Sequence, residues 1–282
     1  MKYLDAIDFD TPNFGDLYDE LPLWSAPFGL WILDRVPVKS NLTILDIGAG
    51  TGFLTIELAE RCGSGTKVIA VDPWTAAMER LRRKVKQRQL TNILLLEQDA
   101  ATIDLPEASV DVVVSNLGVN NFEDPGTVLQ VCSRLAKPNA TFLLTTNLVG
   151  HMAEFYEVYR EVLVQTGQHN RIAALEAHIN HRATLDSVGS LLQNAGFKVA
   201  DVITDSFRWR FADGSALLRH YFIRLGFIQE WKEIAAVGLV QETFERLERE
   251  LNAVAEKRGE LVLTIPMACF EARKQSVKQL KL

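Results

Sequence analysis

A group of glycines near residue 50 is the first feature of the sequence that could do chemistry. An apolar run ending at Asp46 leads into Gly48-Ala49-Gly50-Thr51-Gly52, and a helical pattern begins at about Phe53. Glycines let the backbone turn tightly and let a ligand approach without meeting a Cβ, and the first turn of the following helix offers unpaired N–H groups. The spacing therefore predicts a strand–turn–helix that binds a nucleotide-like ligand.

The position of the third glycine separates two classes of such loops. Dinucleotide-binding proteins place it one residue later, where this chain has Phe53. Gly52 instead completes the pattern D-x-G-x-G-x-G, counted from Asp46. An NAD(P)-dependent oxidoreductase is therefore the alternative that this spacing disfavours.

A second acidic residue follows the next predicted strand. Asp72 ends the apolar run 68–71, at the spacing where the ribose of a nucleoside would be bound. A carboxylate suits a vicinal diol because its two oxygens can accept both O–H groups. Pro73 and Trp74 come next. The indole could lie against an adenine face or, alternatively, pack at the start of the following helix.

The run Leu45–Gly52 resembles motif I of the class I S-adenosylmethionine-dependent methyltransferases, and the resemblance extends over about residues 42–140. It implies that the loop wraps the methionine end of the cofactor and that S-adenosylhomocysteine is the product. It also implies that Asp99 accepts a hydrogen bond from the adenine amino group and that the N–H of Ala100 addresses the ring. The cofactor-binding residues expected on this basis are Asp46, Gly48, Ala49, Gly50, Gly52, Asp72, Pro73, Trp74, Asp99, Ala100, Asn116 and Leu117.

The methyl acceptor is less well defined by the sequence. Within the family the chain is most similar to the small-molecule branch that includes ubiquinone and menaquinone biosynthesis methyltransferases, so the resemblance implies a small-molecule acceptor. Methylation of RNA or protein is the alternative within the enzyme class, and a binding protein without turnover is the alternative outside it. A sulfonium carries an activated methyl group, so a base is needed only if the acceptor must lose a proton.

Histidines are the candidate catalytic residues because no catalytic motif is present. His151 follows the fifth predicted strand and is the candidate base, with a polar residue at a helix N-terminus as the alternative interpretation. His169, His178 and His181 suggest a metal site, but no acidic ligand stands at a useful spacing. The sequence therefore predicts no metal.

Composition limits the classes of partner and compartment. The formal net charge of −6 argues against a protein that mainly grips nucleic acid. No apolar run approaches the length that spans a membrane. The three cysteines are scattered without C-x-x-C spacing, which is typical of reduced thiols in the cytoplasm. We therefore expect a cytoplasmic protein, and its oligomeric state does not follow from the sequence.

Strand-like and helix-like segments alternate along the first half of the chain. Seven runs have strand character: residues 42–47, 67–71, 92–96, 110–115, 140–146, 197–204 and 261–272. Alternation at this spacing implies βαβ crossovers, so the predicted fold is an α/β, Rossmann-like, doubly wound and mostly parallel seven-stranded sheet.

Three further regions depart from the minimal fold. Residues 1–40 are predicted to form an N-terminal helical cap, with 41–282 as the methyltransferase domain. Insertions at about 148–183 and 206–260 are expected to cover the substrate side, because long additions to compact domains are often functional. Aromatic residues alternate with arginines over 207–211, which predicts a strand whose aromatic face packs on the core or, alternatively, lines a pocket.

Overall fold

The computed structural model describes residues 2–5, 7, 11, 14–19 and 23–275. A seven-stranded sheet lies at its centre, in the order β3-β2-β1-β4-β5-β7-β6. The strands are β1 Thr43–Ile47, β2 Lys67–Val71, β3 Ile93–Leu96, β4 Val110–Asn116, β5 Ala136–Asn147, β6 Phe197–Phe211 and β7 Leu261–Lys274. The pairs β1–β2, β1–β4, β2–β3 and β4–β5 are parallel. The predicted α/β class with a mostly parallel seven-stranded sheet is confirmed.

Helices alternate with these strands. They are α1 Phe14–Asp19, α2 Ala26–Arg35, α3 Phe53–Cys62, α4 Thr75–Gln87, α5 Pro125–Leu135, α6 Ala153–Gln165, α7 Ile172–Asn180, α8 Leu185–Asn194, α9 Gly214–Arg219, α10 Tyr221–Gly226, α11 Ile228–Ile234 and α12 Val240–Arg258. Their starts follow local rules: Asp124 accepts the N–H of Thr127 before α5, and Thr184 and Ser187 form a capping box at α8. Within the described residues no helix is long and apolar enough to cross a membrane.

The sheet order reverses between β1 and β4, and this reversal fixes where a ligand can bind. β1 has β2 on one side and β4 on the other, both parallel to it, with Asp46 paired opposite Ala70 and Val114. In open α/β sheets the crevice at the carboxyl ends of such strands is the usual ligand site. Asp46, Asp72 and Asn116 all lie at those ends.

The chain divides into two compact units. The first, which we call the sheet unit, comprises residues 10–146, 183–205 and 267–282. The second, which we call the helical unit, comprises residues 1–9, 147–182 and 206–266. Within the sheet unit, α1 packs against α4, and α2 packs against α3 and β4.

The domain boundaries expected from the sequence stay predictions. In the proposed cap, residues 1, 6, 8–10, 12–13 and 20–22 lie outside the described residues. The described part of the cap contains α1 and α2. That the segments 148–183 and 206–260 cover the substrate side also stays a prediction.

The aromatic alternation in β6 is confirmed as a strand, which continues to Phe211 rather than ending near residue 204. Within the helical unit the ring centroids of Trp209 and Phe211 lie 5.3 and 5.4 Å from that of His220. Trp209 also lies 5.9 Å from Phe222. These contacts favour packing over a pocket wall as the role of the aromatic face.

Candidate functional site

The glycine loop between β1 and α3 is a tight turn with one open face. Gly48, Gly50 and Gly52 have φ values of 73°, 53° and 90°, in the region that favours glycine. A Cβ on Gly52 would lie 2.2 Å from Leu81 Cδ1, so α4 packs directly on the start of α3. A Cβ on Gly50 would meet no heavy atom of the described residues within 4 Å. The predicted ligand therefore has room to approach at Gly50.

The backbone N–H groups of this loop are bonded inside the protein. Gly48 and Ala49 both donate to the last carbonyl of β2, at 2.9 and 3.1 Å, and Gly52 donates to Ala49 O at 2.9 Å. Gly50 donates to Asp72 Oδ2 at 2.8 Å. A loop that binds a pyrophosphate must direct such groups at the ligand. These four groups are committed to protein acceptors and are therefore not available to a pyrophosphate.

Asp46 lies beneath the loop and is only 1% exposed. Its Oδ2 accepts the hydroxyl proton of Thr55, at 2.6 Å. Burial raises the pKa of the Asp46 carboxyl to about 7, the charge of Asp72 adds to the rise, and the bond from Thr55 opposes it. Asp46 therefore changes charge near neutral pH, under the part of the loop that faces the predicted ligand.

Asp72 joins the loop to the start of α4. Its Oδ2 accepts the N–H of Gly50 and its Oδ1 accepts the N–H of Trp74, at 2.9 Å. Burial raises the pKa of this carboxyl, and the two backbone bonds oppose the rise. A carboxylate has about four lone-pair directions, so acceptor capacity remains after two backbone bonds. Asp72 can thus shape the loop and still accept the hydroxyls of a ribose.

Trp74 packs against α1, a contact that the sequence analysis did not predict. Its ring centroid lies 5.6 Å from that of Phe14 and 5.2 Å from that of Tyr18. Burial and, to a lesser degree, the charge of Asp72 raise the pKa of Tyr18. The ring contacts favour the packing interpretation of Trp74. Adenine stacking on Trp74 and a cofactor contact from the exposed Pro73 stay predictions.

Ion pairs hold α1 against α4 and reach the glycine loop. Lys84 Nζ lies 2.7 Å from Asp19 Oδ1 and donates to the carbonyl of Thr51 at 2.8 Å. Arg80 Nε donates to Asp19 Oδ2 at 2.9 Å. Because the Lys84 side chain is only 16% exposed, solvent screens this pair weakly. The basic face of α4 was visible in the sequence, but its partner in α1 was not.

Asp99 and Ala100 follow β3, beside the end of β2. The Asp72 N–H donates to Leu96 O at 3.2 Å, which places the end of β3 next to the predicted ribose acid. The exposed Asp99 carboxylate caps the short 3₁₀ helix that follows and accepts the N–H of Ala101 at 2.8 Å. One local bond leaves acceptor capacity on Asp99, and the adenine contacts of Asp99 and Ala100 stay predictions.

Asn116 and Leu117 form the turn after β4. Asn116 Nδ2 donates to Ser25 O at 3.1 Å, and its Oδ1 accepts the hydroxyl of Thr145 at 2.8 Å. Leu117 has a φ of 63°. A Cβ on Gly118 would lie 2.9 Å from the last carbonyl of β1, so the turn abuts the start of the glycine loop. The amide of Asn116 thus fixes this turn, and its predicted contact with a cofactor stays a prediction.

His151 belongs to the helical unit and is buried. Its ring stacks on Phe227, with the centroids 5.6 Å apart. Burial, and secondarily the charge of Arg182, holds the pKa of His151 well below its usual value, so the imidazole is neutral at pH 7. A neutral imidazole can accept a proton, but the role of His151 as a base stays a prediction.

Two of the three histidines that suggested a metal have protein partners. His178 Nε2 lies 2.9 Å from the hydroxyl oxygen of Tyr156, and His181 lies beside His178 with ring centroids 5.2 Å apart. In the part of the chain that the structure describes, no group of three or more His, Cys, Asp or Glu side chains is placed to hold a metal ion. The sequence does not predict the contact between Tyr156 and His178, because the two residues lie in different helices.

The loop and its two acids together fit S-adenosylmethionine. The ribose of this cofactor offers a diol to Asp72, and its sulfonium is a cation that the nearby carboxylates of Asp46 and Asp72 would attract. A pyrophosphate would meet committed N–H groups and two acids at the same place. The residues present therefore suit a nucleoside that carries positive charge.

Comparison with known proteins identifies several similar chains. A family model described as a methyltransferase domain matches residues 38–196. A demethylmenaquinone methyltransferase of Geobacillus sp. (strain WCH70) is 27% identical over 184 residues, which cover 62% of this chain and 79% of the relative. A malonyl-[acyl-carrier protein] O-methyltransferase of Xylella fastidiosa (strain M23) is 32% identical over 187 residues, which cover 66% of this chain and 57% of the relative.

Solved structures show the same fold. A SAM dependent methyltransferase from Aquifex aeolicus matches with a TM-score of 0.51 at 21% identity, covering 68% of this chain and 92% of that chain. Phosphoethanolamine N-methyltransferase 2 of Haemonchus contortus, in complex with S-adenosyl-L-methionine, matches with a TM-score of 0.55 at 16% identity. That match covers 98% of this chain and 60% of the other.

Proposed function

We propose that this chain methylates a small-molecule acceptor and that its sheet unit is the donor site. The premise is that the chain belongs to the methyltransferase domain family and is an S-adenosylmethionine-dependent methyltransferase. The arrangement of the loop carries the assignment of that site. The N–H groups of Gly48, Ala49, Gly50 and Gly52 are committed to protein acceptors, while the face at Gly50 is open and tied to Asp72.

Different residues of the sheet unit are assigned to different parts of the cofactor. We propose that Asp72 accepts the ribose hydroxyls, that the open face of the loop receives the methionine end, and that Asp99 and Ala100 address the adenine. When bound, the cofactor supplies a sulfonium with an activated methyl group. The protein then has to hold the acceptor in line and keep water out, because proximity and orientation supply much of the acceleration.

A small molecule is supported as the acceptor class by the relatives and by charge. The similar proteins include a demethylmenaquinone methyltransferase and a malonyl-[acyl-carrier protein] O-methyltransferase. The net charge of −6 is unfavourable for gripping nucleic acid. We propose that the helical unit selects the acceptor, since the chain enters this unit directly after β5.

The cytoplasm is the proposed location. The three cysteines, Cys62, Cys132 and Cys269, are buried thiols without disulfides. Burial raises the pKa of Cys132 to about 12, which makes that thiol unreactive. Buried, unpaired thiols are consistent with a reducing compartment.

Calorimetry with S-adenosylhomocysteine tests the donor site. Asp72→Ala removes the carboxylate that contacts the loop and the proposed ribose position, so we expect affinity to fall about 10- to 100-fold. Asp104→Asn is the matched control, because it removes one acid from an exposed position of the same unit. Circular dichroism checks that both variants fold. Equal affinity in Asp72→Ala and wild type contradicts the assignment, as does a wild-type protein that binds neither S-adenosylmethionine nor its product.

A further inference from the structure

Three helices of the helical unit bring together polar groups that the donor site does not use. Tyr156 Oη, in α6, lies 2.9 Å from His178 Nε2, in α7, and Trp231 Nε1, in α11, donates to the same Oη at 3.2 Å. An indole N–H can only donate, so the Tyr156 oxygen is the acceptor of that bond. The tautomer of His178 decides which partner donates in the bond between Tyr156 and His178, because the hydroxyl oxygen has a second lone pair.

Arg182 lies beside this pair with little to balance its charge. The carboxylate oxygen nearest to Arg182 Nη2 is Glu230 Oε2, at 4.0 Å, and the same oxygen lies 3.7 Å from His178 Nδ1. Both distances are longer than a hydrogen bond. The side chain of Arg182 is 15% exposed and that of Glu230 is 53% exposed. The mostly buried guanidinium of Arg182 therefore shares with His178 one distant and well-solvated carboxylate, that of Glu230.

The other titratable groups facing Arg182 are neutral at pH 7. Burial, followed by the charges of Arg182 and His181, lowers the pKa of His178 to about 4. Burial likewise holds the pKa of His151 far below neutrality and raises that of Tyr156. The cluster therefore presents an uncharged imidazole and phenol around one permanent cation.

Arg160, the arginine of α6, has a close carboxylate partner. Arg160 donates to Glu176 Oε1 from two nitrogens, at 2.8 and 2.6 Å. His181 is exposed at the end of α7. Arg182 is thus the cation of this cluster that lacks a close carboxylate among the described residues.

From this geometry, and resting on the proposed function, we propose that Arg182, His178 and Tyr156 form a subsite in the helical unit that binds a carboxylate of the methyl acceptor. A guanidinium presents paired donors whose spacing matches the two oxygens of a carboxylate. The side chains of His178 and Arg182 are 11% and 15% exposed, so each keeps some contact with solvent.

A singly charged acid fits this subsite better than a phosphate dianion. Glu230 stands at its edge, and its negative charge opposes a second charge on the ligand. The aromatic rings behind the polar groups are buried and hold those groups in place. Phe155 stacks on Trp231 with centroids 3.9 Å apart, and Tyr156 meets the ring of His178 at 5.5 Å.

Binding of an anion also has a local signature. A carboxylate on Arg182 offsets the positive charge that helps to depress the pKa of His178. The pKa of His178 therefore rises when the subsite is filled, because the imidazolium is no longer repelled. A ligand that binds elsewhere leaves this pKa unchanged.

Benzoate and benzamide are suitable probes because they share a shape and differ in charge. Calorimetry of the full chain at pH 7 measures their affinity, and NMR of ¹³C-labelled histidines measures the pKa of His178 with and without benzoate. We expect benzoate to bind, benzamide to bind at least about tenfold more weakly, and Arg182→Met to lose about tenfold or more in benzoate affinity. Arg160→Met is the matched control, because its arginine lies in the same unit and has a close carboxylate partner. Arg182→Lys keeps the charge without the fork and should retain part of the affinity.

The outcomes separate this subsite from the donor site. The proposal is overturned if benzoate and benzamide bind with equal affinity, or if Arg182→Met and Arg160→Met lose benzoate affinity equally. It is also overturned if benzoate leaves the pKa of His178 unchanged. Tighter binding of inorganic phosphate than of benzoate also overturns the carboxylate assignment. The binding of S-adenosylhomocysteine is measured on the same samples: its retention together with absent benzoate binding refutes the subsite alone, and its absence refutes the proposed function. If Arg182→Met fails to fold, Arg182→Lys and the wild-type His178 titration still decide the matter.

Discussion

Replacing Asp46 by asparagine should remove a pH dependence from the stability of the folded protein. The carboxyl is 1% exposed and is bonded to the hydroxyl of Thr55. Burial raises its pKa from the ordinary 3.8 to about 7. The folded chain therefore keeps the Asp46 proton over a pH range in which the unfolded chain has released it.

The sign and size of the effect follow from this difference. Below about pH 4 both states hold the proton and the contribution to stability is complete, and as the pH rises through about 7 that contribution is lost. A pKa of 3.8 in the unfolded chain and about 7 in the folded chain corresponds to about 4 kcal/mol across the window. An asparagine side chain at this position does not titrate, and its amide oxygen can still accept the hydroxyl of Thr55.

Urea unfolding of wild type and Asp46→Asn between pH 4.5 and 8, followed by circular dichroism, measures this contribution. The free energy of unfolding of Asp46→Asn minus that of wild type should increase as the pH rises, by up to about 4 kcal/mol. Only the change in this difference with pH is diagnostic, because a buried amide has a constant cost of its own. Asp104→Asn removes an exposed acid and should run parallel to wild type. Parallel curves for Asp46→Asn and wild type would refute the reasoning.

Two further predictions concern the packing around the loop. Gly52→Ala should lower the free energy of unfolding by about 2–3 kcal/mol, because it combines a positive φ with a clash against Leu81. Gly259→Ala has a similar left-handed backbone and open space, so it should cost only about 1 kcal/mol, and equal losses in urea unfolding would show that the clash is relieved. Lys84→Met should cost about 1–3 kcal/mol and weaken binding of S-adenosylhomocysteine, because it removes a bond to the loop carbonyl. The exposed Arg61→Met should change stability by less than about 0.5 kcal/mol, and an equally small effect of Lys84→Met would contradict the coupling of α4 to the loop.

The elements near the glycine loop could be predicted because their signals are local. The positive φ of Gly50 and Gly52 follows from residue type, and the position of Asp72 follows from the end of a short apolar strand. The carboxyl ends of neighbouring parallel strands lie at the same edge of a sheet, so these residues are expected to lie close together. The hydrogen bond from Gly50 to Asp72 is the detailed form of that expectation.

Contacts between distant segments could not be predicted in the same way. Whether Trp74 packs within the protein or stacks on adenine depends on its contacts with Phe14 and Tyr18 of α1. The sequence around Phe14 and Tyr18 does not indicate that they lie against Trp74. A proline within a strand usually indicates an edge position or a bulge, yet β7, which contains Pro266, lies between β5 and β6. Proline lacks only the donor of a ladder, and the carbonyl of Pro266 still accepts the N–H of Leu148.

The glycine loop shows why the count of glycines is weaker evidence than the destination of their N–H groups. A strand–turn–helix with three glycines can hold a phosphate only if its donors point at the ligand. Here those of Gly48, Ala49, Gly50 and Gly52 point into the protein, and the acceptor for Gly50 is itself a carboxylate. The four bonded donors are not free for a pyrophosphate, and Asp46 and Asp72 next to the loop favour a cation over an anion. The electrostatics of the loop therefore agree with the spacing of its glycines, and both favour a cofactor that carries positive charge on sulfur over a dinucleotide.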